Sequence, residues 1–167
     1  FLQGTLGEGL GHYISVDANG TRIAARRSVA NNGGSWVEVY NITNSGAMVQ
    51  VGMNLTCDTA RGGETLTLSP DGNRIAVSCE YTNTGQVRIY DFEYGNWKSP
   101  IDLNGDEIGG RFGRRTKFST NGKRIAIADP NQNGDNGNTN IGMVRIYSLT
   151  NDTQWVPAGD AITGEAQ

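Results

Sequence analysis

The run Asp129-Pro130-Asn131-Gln132-Asn133-Gly134-Asp135 has the residue types and spacing of a cation loop. It fits D-x-[DN]-x-[DN]-G, in which oxygen ligands at alternate positions face a hard ion and glycine makes the sharp turn. The ligand set would be Asp129, Asn131, Asn133 and Asp135, with calcium as the ion. Only the two aspartates carry charge, and the twelfth position is Asn140 rather than a bidentate glutamate, so weak affinity is expected. The competing reading is a plain Asn/Gly-rich hairpin loop. A basic group, Arg111, Arg114, Arg115, Lys117, Lys123 and Arg124, has the charge to hold a sulfated or phosphorylated polysaccharide. Its bland alternative is a solvated strand edge with acids opposite.

Catalytic chemistry finds little support. The single histidine, His12, stands beside Tyr13 without a legible Ser-His-Asp arrangement. Cys57 and Cys79 lack C-x-x-C spacing, which argues against redox or zinc chemistry. Gly7, Gly9 and Gly11 are followed by no helical pattern, so a phosphate-cradling loop is not expected. The expectation is a chain that is not an enzyme. The enzymatic alternative places a site outside this segment, with Asp106 and Glu107 as nearby acids.

Three N-x-[ST] sequons, at Asn41, Asn54 and Asn151, point to glycosylation and secretion. A Cys57–Cys79 disulfide fits that compartment and would close a loop of about 20 residues, worth roughly 3 kcal/mol. Two buried thiols are the alternative. The chain has 167 residues, 24 of them glycine, and a net charge of −3, which gives no overall reason to expect nucleic acid as a partner. No apolar run approaches the roughly 20 residues of a membrane-spanning helix. There is no initiator methionine and no signal peptide, as expected of a processed product or a segment of something longer.

These residues hang on a repeat. Leu66 and Leu68 alternate with polar residues, Pro70-Asp71-Gly72 supplies a turn, and Arg74-Ile75-Ala76-Val77 resumes an extended pattern. The unit recurs at Ile14–Ala24 and Phe118–Ala126, with turn glycines Gly20, Gly72 and Gly122 spaced by 52 and 50 residues. Nine residues before each stands another glycine: Gly11, Gly63 and Gly113.

Four strands are expected per repeat. They are His12–Asp17, Thr21–Arg26, Trp36–Tyr40 and Ala47–Val51, then Thr65–Ser69, Asn73–Cys79, Gln86–Tyr90 and Trp97–Ile101, then Arg115–Ser119, Lys123–Ala128, Met143–Tyr147 and Gln154–Ala158. This is the signature of an all-β propeller with three four-stranded antiparallel blades, in approximate repeats 2–54, 55–102 and 103–167. Ala24, Ala76 and Ala126 should let blades approach, and the repeated Tyr40, Tyr90 and Tyr147 should pack against the next blade. Leu55-Thr56-Cys57, Leu103-Asn104-Gly105 and Ile162-Thr163-Gly164, like Leu2-Gln3-Gly4, are expected after the fourth strand, between repeats. A closed propeller has roughly 4–8 blades, so three should meet further blades of the same protein or a second copy, in a ring or a fibre.

The repeat resembles the extracellular propeller repeats related to the integrin-type FG-GAP family. Trp155, Gly159, Ile162, Gly164 and Glu165 carry the resemblance, with Gly110, Phe112, Gly113, Ser119, Gly122, Arg124, Ile125, Ala126, Gly142, Val144, Arg145, Ile146 and Tyr147. The Ser69-Pro70-Asp71-Gly72 turn is also similar to propeller repeats of bacterial periplasmic translocation proteins. The first repeat departs from the pattern, with Leu10 for Phe112 and Glu38 at the Arg88 and Arg145 position. The resemblance implies calcium loops, although Asp129–Asp135 falls between the second and third strands, away from the family's pattern. The functional expectation is a secreted, extracellular module with a structural, adhesive or self-assembling role. The alternative is a lectin-like propeller stacking glycans on Tyr13, Tyr81 and Trp36.

Overall fold

Each repeat turns on a polar residue that caps its own hairpin. Asp17 accepts hydrogen bonds from the Thr21 and Arg22 amides at 2.8 and 2.9 Å, and the Ser69 and Ser119 hydroxyls accept from the Arg74 and Arg124 amides. The turn glycines have φ of 68, 70 and 66°, a region closed to most L-residues. The computed structural model describes residues 8–29, 34–57, 63, 65–79, 82–134 and 139–165.

The first blade comprises β1 (Glu8–Val16), β2 (Arg22–Val29), β3 (Ser35–Ile42), β4 (Met48–Gln50) and β5 (Leu55–Thr56). The second comprises β6 (Leu66–Leu68), β7 (Arg74–Ser78), β8 (Gln86–Glu93), β9 (Asn96–Trp97) and β10 (Ile101–Asn104). The third comprises β11 (Arg115–Phe118), β12 (Arg124–Asp129), β13 (Met143–Thr150), β14 (Gln154–Pro157) and β15 (Ile162–Thr163). Pairing is antiparallel throughout these strands, and each blade has four strand positions.

The fourth position is broken in two, which the sequence reading missed. β4, β9 and β14 pair with the end of the third strand, whereas β5, β10 and β15 pair with its start. The segments at Leu55, Leu103 and Ile162, expected beyond the fourth strand, are its second half. The breaks hold Gly52 and Gly159, both at positive φ, and Pro100, which has no amide to donate.

Register repeats from blade to blade. Ile23 faces Tyr40, Ile75 faces Tyr90 and Ile125 faces Tyr147, while the next residue, an alanine each time, faces Val39, Ile89 or Ile146. Side chains alternate along a strand, so isoleucine and tyrosine share one blade face and alanine shares the other. Two apolar cores follow. Ala24, Val37 and Val39 of the first blade bury against Leu66, Leu68, Ile75 and Tyr90 of the second. Ala76, Val87 and Ile89 of the second bury against Phe118, Ile125 and Tyr147 of the third. Tyr90 and Tyr147 therefore pack against the preceding blade, not the next one, while Tyr40, on the first blade, donates to Glu38 of its own strand. The reason is register: each is paired with the isoleucine of its blade and must share its face. The Tyr90 hydroxyl donates to the Thr56 carbonyl of the first blade at 2.9 Å.

Candidate functional site: the open blade faces

One arginine two residues past the turn glycine fastens each blade to the next. Arg22 donates from Nε to Asn41 Oδ1 in its own blade at 2.8 Å and from Nη1 to the Gly72 carbonyl of the second blade at 2.7 Å. Arg74 repeats this, with Nε on Asp91 Oδ1 at 2.5 Å and Nη1 on the Gly122 carbonyl at 3.3 Å. Each guanidinium also lies over an aromatic ring of the following blade, Phe92 at 4.3 Å and Trp155 at 5.4 Å. A Cβ on Gly72 would sit tightly, 3.3 Å from Asp17 Cβ and 3.4 Å from Arg22 Cβ, whereas one on Gly122 would make an ordinary contact with Ser69 Cβ at 3.5 Å, so it is positive φ that both turns have in common as a demand for glycine. Sequence reasoning recorded Arg22 and Arg74 only as part of a repeat and placed Arg124 in a basic group; the fixed offset from the turn glycine was the available signal for a latch.

The same seam is left half-made at both ends of the array. On the first blade, Ile14 and Val16 are 60% and 48% exposed, whereas their equivalents Leu66 and Leu68 are 6% and 5% exposed. Gly11 and Gly20 are exposed, and a Cβ on either would meet nothing within 4 Å; Gly63, Gly72, Gly113 and Gly122 are buried against the preceding blade. On the third blade, Ala126, Val144 and Ile146 are only partly buried where Ala76, Val87 and Ile89 are fully buried. Arg124 is exposed and its guanidinium has no partner among the described residues, in contrast to Arg22 and Arg74.

The residues singled out for chemistry are distributed differently. Asp129 is 1% exposed and turns inward, accepting from the Arg111 amide at 2.8 Å and the Asn131 amide at 3.2 Å through Oδ1. Asn133 is held by Glu107, an acid from the link between the second and third blades. Asp135 lies outside the described residues, and among the described residues no group of three His, Cys, Asp or Glu is placed to hold a metal. Asp106 pairs with Arg145. Within the basic group, Lys123 pairs with Asp152 at 3.5 Å and Arg115 donates to the Arg114 carbonyl. Asn54 and Asn151 are exposed, while Asn41 is half-buried and engaged by Arg22. Tyr13 packs on the first core beneath Arg26, Trp36 donates from Nε1 to Glu38, and Tyr81 lies outside the described residues. Cys57 and Cys79 form a disulfide from the end of β5 to the end of β7, joining the first blade to the second.

Two acids of the first blade, the hairpin cap Asp17 and Glu38 on β3, give the fold a pH dependence. Burial works to raise the Asp17 pKa, but hydrogen bonds from the Arg22 amide, the Thr21 hydroxyl and the Thr21 amide hold it below the usual carboxylate range. Glu38 behaves alike: burial opposes, while Arg27, Tyr40 and Trp36 hydrogen bonds and the Arg27 charge depress it. A depressed carboxyl stabilises the fold above its unfolded pKa, and that stabilisation is lost as pH falls through the folded value. Unfolding free energy should therefore decline as pH drops below about 4. Asp17→Asn should lower stability at neutral pH and flatten the acid limb; a limb unchanged in urea titrations across this range would contradict the assignment.

No protein-family model matches the sequence, and no curated protein matches it either. Among solved structures, the fold is similar to a protein from Bacteroides uniformis provisionally named a 6-phosphogluconolactonase, with TM-score 0.64, 17% identity, and coverage of 92% of this chain and 40% of that one. A protein from Bacteroides fragilis with the same provisional name gives 0.63, 16%, 92% and 39%. A protein of unknown function from Desulfotomaculum acetoxidans gives 0.52, 12%, 93% and 46%. The chain thus spans about 40% of the length of the first two. The expectation of a chain that is not an enzyme is corrected by these names. Proteins of the same fold are named as enzymes, so scarce catalytic groups in one segment do not argue against activity in a complete ring. At this identity the likeness speaks for the fold: the chain is three blades of a β-propeller.

Proposed function

We propose that this chain is a propeller-building segment with a structural, adhesive or self-assembling role outside the cell, exercised once its two open faces are covered by further blades. The observation that carries the reading is the contrast between Ile14 and Val16, exposed on the first blade, and Leu66 and Leu68, buried on the second. A blade face that is apolar by design and left in water would favour association. The exposed sequon residues Asn54 and Asn151, together with the disulfide, support an oxidising, extracellular setting. The resemblance to extracellular FG-GAP-type repeats belongs to the same reading. Its test is the native-source polypeptide. Enzymatic deglycosylation should lower its mass, and Asn54→Gln with Asn151→Gln should abolish that shift; an unmodified polypeptide retained inside the cell would overturn the extracellular role.

A second reading is favoured by the names of the two Bacteroides proteins: the completed propeller hydrolyses a lactone such as 6-phosphogluconolactone. The complete native polypeptide should then turn over that lactone faster than its spontaneous hydrolysis. A rate equal to the spontaneous one removes this reading.

A further inference from the structure

We propose that a second copy of this chain covers both open faces, the third blade of each copy seated on the first blade of the other, closing a six-bladed ring. The inference rests on the reading above that the open faces await blades, and it names the occupant. Continuity with the existing seams is the argument. Each seam joins an arginine of one blade to the turn-glycine carbonyl of the next, Arg22 to Gly72 and again Arg74 to Gly122. The two unmatched halves are both present in this chain. Arg124 offers the guanidinium, and Gly20 offers a turn with open space around it.

The ring under the guanidinium is not reproduced, since the first blade holds Ile42 and Met48 at the Phe92 and Trp155 positions, but a backbone hydrogen bond and the apolar contacts are. The Ala18 amide donates to the Pro70 carbonyl at 2.9 Å across the first seam. The equivalent donor on the third blade is the Thr120 amide, and its acceptor on a second copy would be the Ala18 carbonyl. Ala126, Val144 and Ile146 would cover Ile14, Val16 and Ile23 as Ala24, Val37 and Val39 cover Leu66, Leu68 and Ile75. A contact between unlike faces closes only if rotation returns to the start. Two copies make two identical contacts, leave no apolar blade face in water, and give a blade number within the roughly 4–8 of closed propellers.

Sedimentation of the 167-residue protein should give twice the 17.9 kDa chain mass, independent of concentration. Val16→Asp and Ile146→Asp should each yield monomers, because each spoils both contacts of the ring. Mixing the two should restore dimers, because one undamaged contact then remains. A face-to-same-face dimer would instead be lost in Val16→Asp and kept in Ile146→Asp, overturning the proposal. Should the variants fail to fold, Ala18→Cys with Thr120→Cys in one chain gives a second readout. Oxidation should produce a covalent dimer, whereas a monomer or a ladder of polymers would overturn the ring. A monomer whose native-source polypeptide is longer than this chain would overturn the second copy alone. A monomer whose native polypeptide has this length would overturn the segment reading too.

Discussion

Gly85→Ala is expected to destabilise the protein by about 2–5 kcal/mol, from a conformational loss of about 1–2 and a steric loss of about 1–3. Gly85 has φ of 78°, which an L-residue adopts at a cost. The larger problem is space. A Cβ there would meet the Phe112 amide nitrogen, lie 2.5 Å from its carbonyl oxygen and 2.9 Å from its Cα. These are backbone atoms, so no rotamer relieves the clash. Gly85 and Phe112 form a parallel bridge that brings the chain entering the third blade against the second, and Phe112 is fully buried in the core between them. Two comparisons separate the causes. Gly11 has φ of 88° with nothing within 4 Å of a Cβ, so Gly11→Ala should cost only the conformational part. Gly105 carries no positive φ, yet a Cβ there would meet the Thr84 carbonyl and lie 2.6 Å from Phe112 Cβ, so Gly105→Ala should cost the steric part. Equal losses for Gly85 and Gly11 in urea unfolding would show that packing at Phe112 does not decide stability.

The blades were legible because their signals are local. Turn chemistry at Gly20, Gly72 and Gly122 fixes each hairpin, and alternation fixes which residues share a face. What failed was relational. The face on which Tyr90 lies follows from its partner Ile75, so knowing that tyrosine packs between blades did not say which blade it meets. The split fourth strand was missed because two-residue pairings such as Leu55–Thr56 carry too little pattern to register as strands. The arginine latch was missed for a related reason. Arg22 and Arg74 stood in the sequence only as strand residues of the repeat and Arg124 was counted in the basic group, and only the neighbouring blade supplies the glycine carbonyl that turns the first two into latches. In the Asp129 loop, local spacing drew attention to the oxygen-bearing side chains, and the fold adds that Asp129 is buried and accepts from the Arg111 amide. Blade number and activity depend on chain-to-chain or blade-to-blade contact, and no local pattern encodes them.

Replacing Cys57 and Cys79 together by alanine should lower stability by about 3 kcal/mol, the unfolded-chain entropy that a loop of this size restrains. For a domain of this length that corresponds to roughly 6–12 °C in midpoint temperature. The bond spans a sequence separation of 22 residues, but its position matters more than its loop. It ties the end of β5 in the first blade to the end of β7 in the second, so it staples a blade seam. The equivalent positions of the second seam hold Gly105 and Asp129, which make no covalent link. Removing the bond should therefore act unevenly. Hydrogen exchange should quicken at β2 amides (Arg22–Val29) more than at β12 amides (Arg124–Asp129), because the first blade is then held only by non-covalent contacts: the Arg22 latch, hydrogen bonds such as Tyr90 to Thr56 and Ala18 to Pro70, and the apolar core. Uniform loss of protection across the three blades would show that the bond stabilises only by restraining the unfolded chain. Selective loss in the first blade would show that it holds one seam shut.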